Sequence, residues 1–519
     1  MDPLRLLRRL VLGNDRTLAR KAQARRVTPD QAVLRQFRRE FRTPASGKAR
    51  FIVFGSVAGP GDNSVAIGLP LNRLVGERGT HVLDCGPSRS GKTRLALSVV
   101  RQALRMPDLR VWTVDPKGDL TVGRERIQAA EAERPSGARL IERLRVLRLF
   151  DRSTPPPLRL TAREDGIPIA VQAASIGTAL GEASGAELGS RMGHILHPPA
   201  ELAVEQNRPL TCLLDWLRRP ATFAAAAASS SNERLRHFAT HELPRENKES
   251  LRALVARLER VLLLPSVRRA LEAPTCFNFH QALEYFDLIL DASNPPAGEE
   301  AAVRMLCGPL FGRMARAVLN REVTAQTTPV LCFIDELPEL LGRFEAEGIG
   351  RLVSLAGSRL VNFFLILQDR VQLGPELFHL LRTNCQIETL FRPAHRDAEL
   401  VAHALPVPEG VERPAQVREA LVRMLTRLPR RQYLFWCKDG RVPAHFVTAP
   451  LVDLDQLPPA EALRNRLRAE AETRLSATQL ASAAPTAPVA VTEADAPTPV
   501  TPVRAAVPPP DDEIFPSLG

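Results

Sequence analysis

From Phe51 onward, short and almost unbroken apolar runs alternate with longer stretches whose apolar residues recur every three or four positions. The runs "FIVFG" (51–55), "THVLDCG" (80–86), "LRVWTVD" (109–115) and "RLRVLRLFD" (143–151) predict strands, and "KTRLALSVVRQAL" (92–104) predicts a helix between two of them. From Gly166 to Tyr285 the pattern changes. "PLTCLLDWLRRP", "NERLRHFATHEL" and "ESLRALVARLERVLLL" all have helical periodicity, with no convincing strand among them. Strand signals return at "FDLILDAS" (286–293). After a helical stretch over 301–321 they continue through "PVLCFIDE" (329–336), "VNFFLILQ" (361–368) and "CQIETLF" (385–391), ending in "RQYLFWCKDGRVPAHFVTA" (431–449). The last pair reads as a hairpin turning on Asp439-Gly440. Strand and helix in turn favour a parallel sheet with helices packed on it, interrupted by an all-helical insertion.

The junction of the second run with its helix carries chemistry. Gly86-Pro87-Ser88-Arg89-Ser90-Gly91-Lys92-Thr93 fits GxxxxGK[ST], between a predicted strand and a predicted helix. Glycines let the backbone curl until successive N–H groups point inward at a triphosphate, and the helix start adds positive potential. Lys92 is the candidate for the β/γ-phosphates of ATP, and Thr93 for Mg²⁺. Such a site needs an acid at the end of a neighbouring strand. Asp335 and Glu336 close the apolar run "PVLCFI", so Asp335 is read as a metal residue acting through water, and Glu336 as the group that polarises the attacking water. Gln368 ends the next strand, where ligands of open parallel sheets bind, and is read as a sensor of the γ-phosphate. Arg359 is read as an arginine finger for a neighbouring subunit, a surface ion pair being the alternative. Asp115 and Lys117 of "VDPKGDL" have no assigned chemistry, and Pro116-Lys117-Gly118 accounts for a turn.

The chain then divides into a basic helical arm (1–50), a nucleotide-binding region in two parts (51–165 and 286–457), the helical insertion (166–285), and a short helix with a Pro- and Ala-rich tail expected to be disordered (458–519). Net charge is +12. The arm holds 14 Lys and Arg against 4 Asp and Glu, a net of +10, which suits nucleic acid or an acidic membrane surface. Leu4, Leu7, Leu10 and Val11 share one helical face of the arm and keep peripheral membrane contact open. The seven cysteines lie far apart with no CxxC pair, which argues against a zinc site or a disulfide framework. With no apolar run of membrane-spanning length and no signal peptide, the expected compartment is the cytoplasm.

In order and spacing, "GLPLNRLVGERGTHVLDCGPSRSGKT", "VDPKGDL", "FIDELPELLG" and "LAGSRLVNFFLILQDRVQL" resemble the FtsK/HerA superfamily of DNA-pumping ATPases, most nearly the TraG/TraD-type coupling proteins of conjugative type IV secretion. The resemblance runs from about Ser56 to Pro450. It implies an α/β RecA-like P-loop ATPase core, use of ATP and Mg²⁺, a homo-hexameric ring, DNA as cargo with little sequence preference, and secretion-channel or relaxosome proteins as partners. It implies Lys92, Thr93, Asp335, Glu336, Gln368 and a trans-acting Arg359 as the working residues. Coupling proteins usually begin with transmembrane helices, and this sequence shows none. The other function classes are an ATPase adaptor for protein substrates and a nucleotide-dependent scaffold that does not hydrolyse ATP.

Overall fold

The computed structural model describes residues 51–470 with breaks at 59–63, 77–78, 135–136, 152–155, 165, 185–189, 341–345, 370–372, 406–413, 439–443 and 451. The basic arm, the Asp439-Gly440 turn and the Pro- and Ala-rich tail fall outside the described residues. The described residues up to 465 form one compact unit, and the described residues 466–470, which are helical, belong to a second.

The strands are β1 (Phe51–Ala58), β2 (Ser64–Pro70), β3 (Val82–Cys85), β4 (Arg110–Asp115), β5 (Leu144–Arg148), β6 (Asp287–Asp291), β7 (Val330–Asp335), β8 (Val361–Leu367), β9 (Ile387–Phe391), β10 (Gln432–Cys437) and β11 (His445–Thr448). They make one sheet in the order β2-β1-β11-β10-β9-β3-β8-β7-β4-β6-β5. From β9 to β5 every neighbouring pair is parallel. From β9 back to β2 every pair is antiparallel. The longer helices used below are α1 (Lys92–Leu104), α2 (Asp119–Ala132), α3 (Ile169–Ala183), α4 (Ser190–Glu205), α5 (Lys248–Leu262), α6 (Glu300–Leu319) and α7 (His395–Ala404). A large, mostly parallel sheet with helices on both faces and a glycine loop after a central strand is the expected RecA-like α/β architecture.

The unbroken apolar runs follow from burial on both faces. In β7, Leu331 and Phe333 face one cluster with Leu95, Val99 and Ile127 of α1 and α2. Val330, Cys332 and Ile334 face the other, with Met305 and Leu310 of α6. The helical insertion belongs to this second cluster, so its core is continuous with the face of the sheet opposite α1. Helix α5 shows why it folds so: Leu251, Leu254, Val255, Leu258, Val261 and Leu262 are buried at helical spacing, and the Asn247 side chain accepts the Glu249 N–H at its start. Among the described residues, strands are absent between β5 and β6, apart from an isolated bridge of Leu158 with Cys276.

Strand β2 is not among the predicted strands. Its partner register shifts between Val53 and Gly55, and Gly55 packs so closely that a Cβ there would lie 2.3 Å from the Thr448 carbonyl oxygen. All seven cysteines are free thiols. Among the described residues, no helix is long and apolar enough to cross a membrane.

Candidate functional site

Parallel pairing sets the C-terminal ends of β9, β3, β8, β7, β4 and β6 along one edge, and the site is built there. The loop after β3 starts at Gly86 (φ +154°), passes Arg89 in a left-handed conformation (φ +62°) and ends at Gly91 (φ +123°), where α1 begins. The Gly86 N–H donates to the Leu367 carbonyl at the end of β8, and the Arg431 N–H donates to the Ser90 carbonyl. Helix α1 has no side-chain cap and no acid in its first turn, so its free N–H groups offer positive potential toward the loop. Lys92 is buried, and its ammonium donates to the carbonyls of Gly86 and of Pro87 (2.9 Å). Ser90 Oγ is buried without a partner, a hydroxyl left for an incoming acceptor. Thr93, half-buried, is the second residue of the helix.

One register row crosses the sheet at this level: Asp335 of β7 lies beside Ile366 of β8, then Asp84 of β3, then Thr389 of β9. Ile366 packs in the cluster beneath α1, so the row presents both carboxyl groups toward the helix that carries Lys92. Burial first, then the nearby Asp115 and Glu336, push the Asp335 carboxyl up to about 7; Lys92 and Lys117 pull it down. Burial likewise lifts Asp84 to about 7, opposed by a hydrogen bond from Thr389 (2.7 Å) and by Lys92. A buried acid so destabilised as an anion, facing a lysine, fits a place where a cation and a phosphate chain are to be held.

Glu336 leaves β7 in a left-handed conformation (φ +47°), its N–H donating to the Ile366 carbonyl (3.0 Å). Its buried carboxylate meets the Lys117 ammonium at 2.9 Å. Asp115 accepts the N–H groups of Lys117 (2.9 Å), Gly118 (2.8 Å) and Thr121 (2.7 Å), so this acid holds the turn that opens α2. Gln368 and Asp369 line a cavity of about 280 Å³ with Gly86, Pro87, Ser88, Leu390, Pro393, Ala394 and Asp397, the last three at the start of α7. Among the described residues, no group of three or more His, Cys, Asp or Glu is arranged to hold a metal unaided. Thr93 and Asp335 together with phosphate oxygens suit Mg²⁺, which keeps much of its water and takes few protein ligands.

Lys92, Asp335, Glu336 and Gln368 thus share the C-terminal edge. Arg359 does not. It precedes β8 at the opposite edge, with one guanidinium N–H on the Arg321 carbonyl (3.0 Å). Leu360 and the seven residues of β8 separate it from Gln368, roughly 20 Å of extended chain. Sequence reasoning missed Asp84, whose signal is a charge inside a buried run, and Phe391 and Arg431, which prop the loop from distant segments.

The fold has solved counterparts. The bacterial conjugative coupling protein TrwB aligns over 82% of this chain and 93% of its own, with a TM-score of 0.54 and 17% identity. The chain shares the fold of a conjugative coupling protein. The plasmid coupling protein TrwB in complex with ADP and Mg²⁺ aligns over the same shares with a TM-score of 0.56 and 18% identity. VirB4 of Thermoanaerobacter pseudethanolicus aligns over 78% of this chain and 96% of its own, with a TM-score of 0.53 and 14% identity. No family model matches the sequence, and no curated protein does.

Proposed function

We propose that this chain is an ATP-hydrolysing DNA translocase of the conjugative, type IV secretion kind, acting as a homo-hexameric ring. The observation that carries the reading is that Lys92 of the glycine loop lies within electrostatic reach of Asp335, with Glu336 next to Asp335 at the same strand end, on a fold shared with a coupling protein solved with ADP and Mg²⁺. Lys92 and the loop N–H groups bind the phosphates. Thr93 and Asp335 would hold Mg²⁺, which when bound neutralises phosphate charge. Glu336 orients the attacking water and takes its proton, and Gln368 fixes the γ-phosphate side of the cavity. Arg359, across the sheet from its own loop, serves the site of the next subunit. The charge of +12 suits DNA as the partner.

The test is ATP turnover by the purified chain alone, with single-stranded DNA and with double-stranded DNA, at low and moderate salt. Stimulation by DNA that fades steeply with salt is expected, as counterion release requires. Glu336→Gln should abolish turnover while ATP still binds. Turnover indifferent to DNA would favour a protein-handling ATPase, and no turnover in the unmodified chain would favour a scaffold.

A further inference from the structure

The turn after β4 is built more elaborately than a connection needs. Asp115 is fully buried, and its carboxylate spends three hydrogen bonds on the backbone of residues 117–121. Gly118 sits at φ +92°, and a Cβ there would lie 2.8 Å from Ser293 Oγ. The clamp fixes the backbone at Lys117, whose side chain crosses from β4 to the neighbouring β7 and meets Glu336 Oε1 at 2.9 Å. Glu336 itself lies in a left-handed conformation that side chains rarely adopt, buried beside the Asp335 carboxyl group. A carboxylate there, next to Asp335, is repelled by its neighbour unless a cation holds it in place.

Resting on the ATPase reading above, we propose that Lys117 is a positioning residue for hydrolysis: it grips one oxygen of Glu336 so that the other is presented to the attacking water. Lys117 is not itself a catalytic residue. It acts through Glu336, and Asp115 acts through Lys117. The ammonium is partly exposed, so removing it leaves no cavity in the core. Its loss therefore lowers the rate of the chemical step and spares nucleotide affinity, since orientation of a general base counts only in the transition state.

The experiment compares the full chain with Lys117→Met, Lys117→Gln and Lys117→Arg, measuring kcat and KM for ATP with DNA present, affinity for a fluorescent ATP analogue, and thermal melting. Met and Gln are expected to lower kcat at least tenfold with KM and analogue affinity within twofold of the parent, and Arg to restore most of the rate. A loss of analogue affinity equal to the loss of kcat, or Arg as impaired as Met, would show a structural role and overturn the proposal. Faster turnover in Lys117→Met would overturn it too, because the pair would then be a restraint. If the parent chain hydrolyses ATP and Glu336→Gln does not, yet Lys117→Met matches the parent, this inference fails and the ATPase reading stands. If the parent shows no turnover, the ATPase reading has failed first.

Discussion

A Cβ on residue 86 would fall 2.6 Å from the Cβ of Phe391 and 2.6 Å from its carbonyl oxygen, so the first glycine of the loop is pressed against the end of β9. At φ +154°, Gly86 also occupies backbone space that other residues seldom take. Gly86→Ala must push loop and strand apart. It is expected to weaken binding of a fluorescent ATP analogue at least tenfold and to cost about 1–3 kcal/mol of stability. An unchanged affinity in a titration would show that the loop does not need this contact.

Asp84 yields a dependence on pH. Its carboxyl is pushed up from 3.8 to about 7, burial outweighing the Thr389 hydrogen bond and Lys92. Between these values the folded chain keeps a proton that the unfolded chain releases. The stability tied to this group is therefore complete below about pH 4 and is lost as pH rises through 7. Asp84→Asn keeps an acceptor for Thr389 and carries no titrating group. Denaturant midpoints should show it gaining on the parent, by on the order of 3 kcal/mol, between pH 4 and 8. A gap between the two that stays constant with pH would contradict the assignment.

Much of the frame was legible because the parallel strands are buried on both faces, which leaves unbroken apolar runs such as the one ending at Asp335. The loop was legible because its chemistry demands glycines and a lysine at fixed spacing. Strand β2 was not, being a short antiparallel element whose register is irregular and whose Gly68 packs against the Ile52 carbonyl. Nor was the pairing of Lys117 with Glu336, which joins positions 219 apart in sequence and follows only from β4 lying beside β7. Asp84 was passed over as part of a strand, and its row with Asp335 emerges only from the strand order. Asp115, which matched a motif without a role, holds its own turn.

Arg124 tests how the sheet is tied to α2. Fully buried, it donates to Thr113 Oγ1 (2.9 Å), to the Val111 carbonyl (2.8 Å) and to the Leu288 carbonyl, and burial lowers its guanidinium to about 10. A planar guanidinium spans these acceptors on two strands, while the compact ammonium of lysine does not. Arg124→Ala should cost about 3 kcal/mol or more, from orphaned acceptors and the void, and Arg124→Lys at least ~1 kcal/mol. Urea unfolding measures both, and a neutral Lys variant would refute the argument.

Arg359 and Lys92 stand at opposite edges of one sheet, so if both serve hydrolysis they serve different sites. In a ring, the lysine of one subunit would meet the arginine of the next. Arg359→Ala should then bind nucleotide normally and lose most turnover, since an arginine finger contributes on the order of 10³-fold to the rate. Lys92→Ala should fail at binding. Mixed together, the two inactive chains should regain turnover, because a subunit with Lys92 intact can sit beside one with Arg359 intact. The recovered rate should rise with protein concentration as mixed rings form. If Arg359→Ala turns over ATP like the parent, or if the mixture stays silent while both chains co-assemble, the arginine belongs to the Arg321 contact alone.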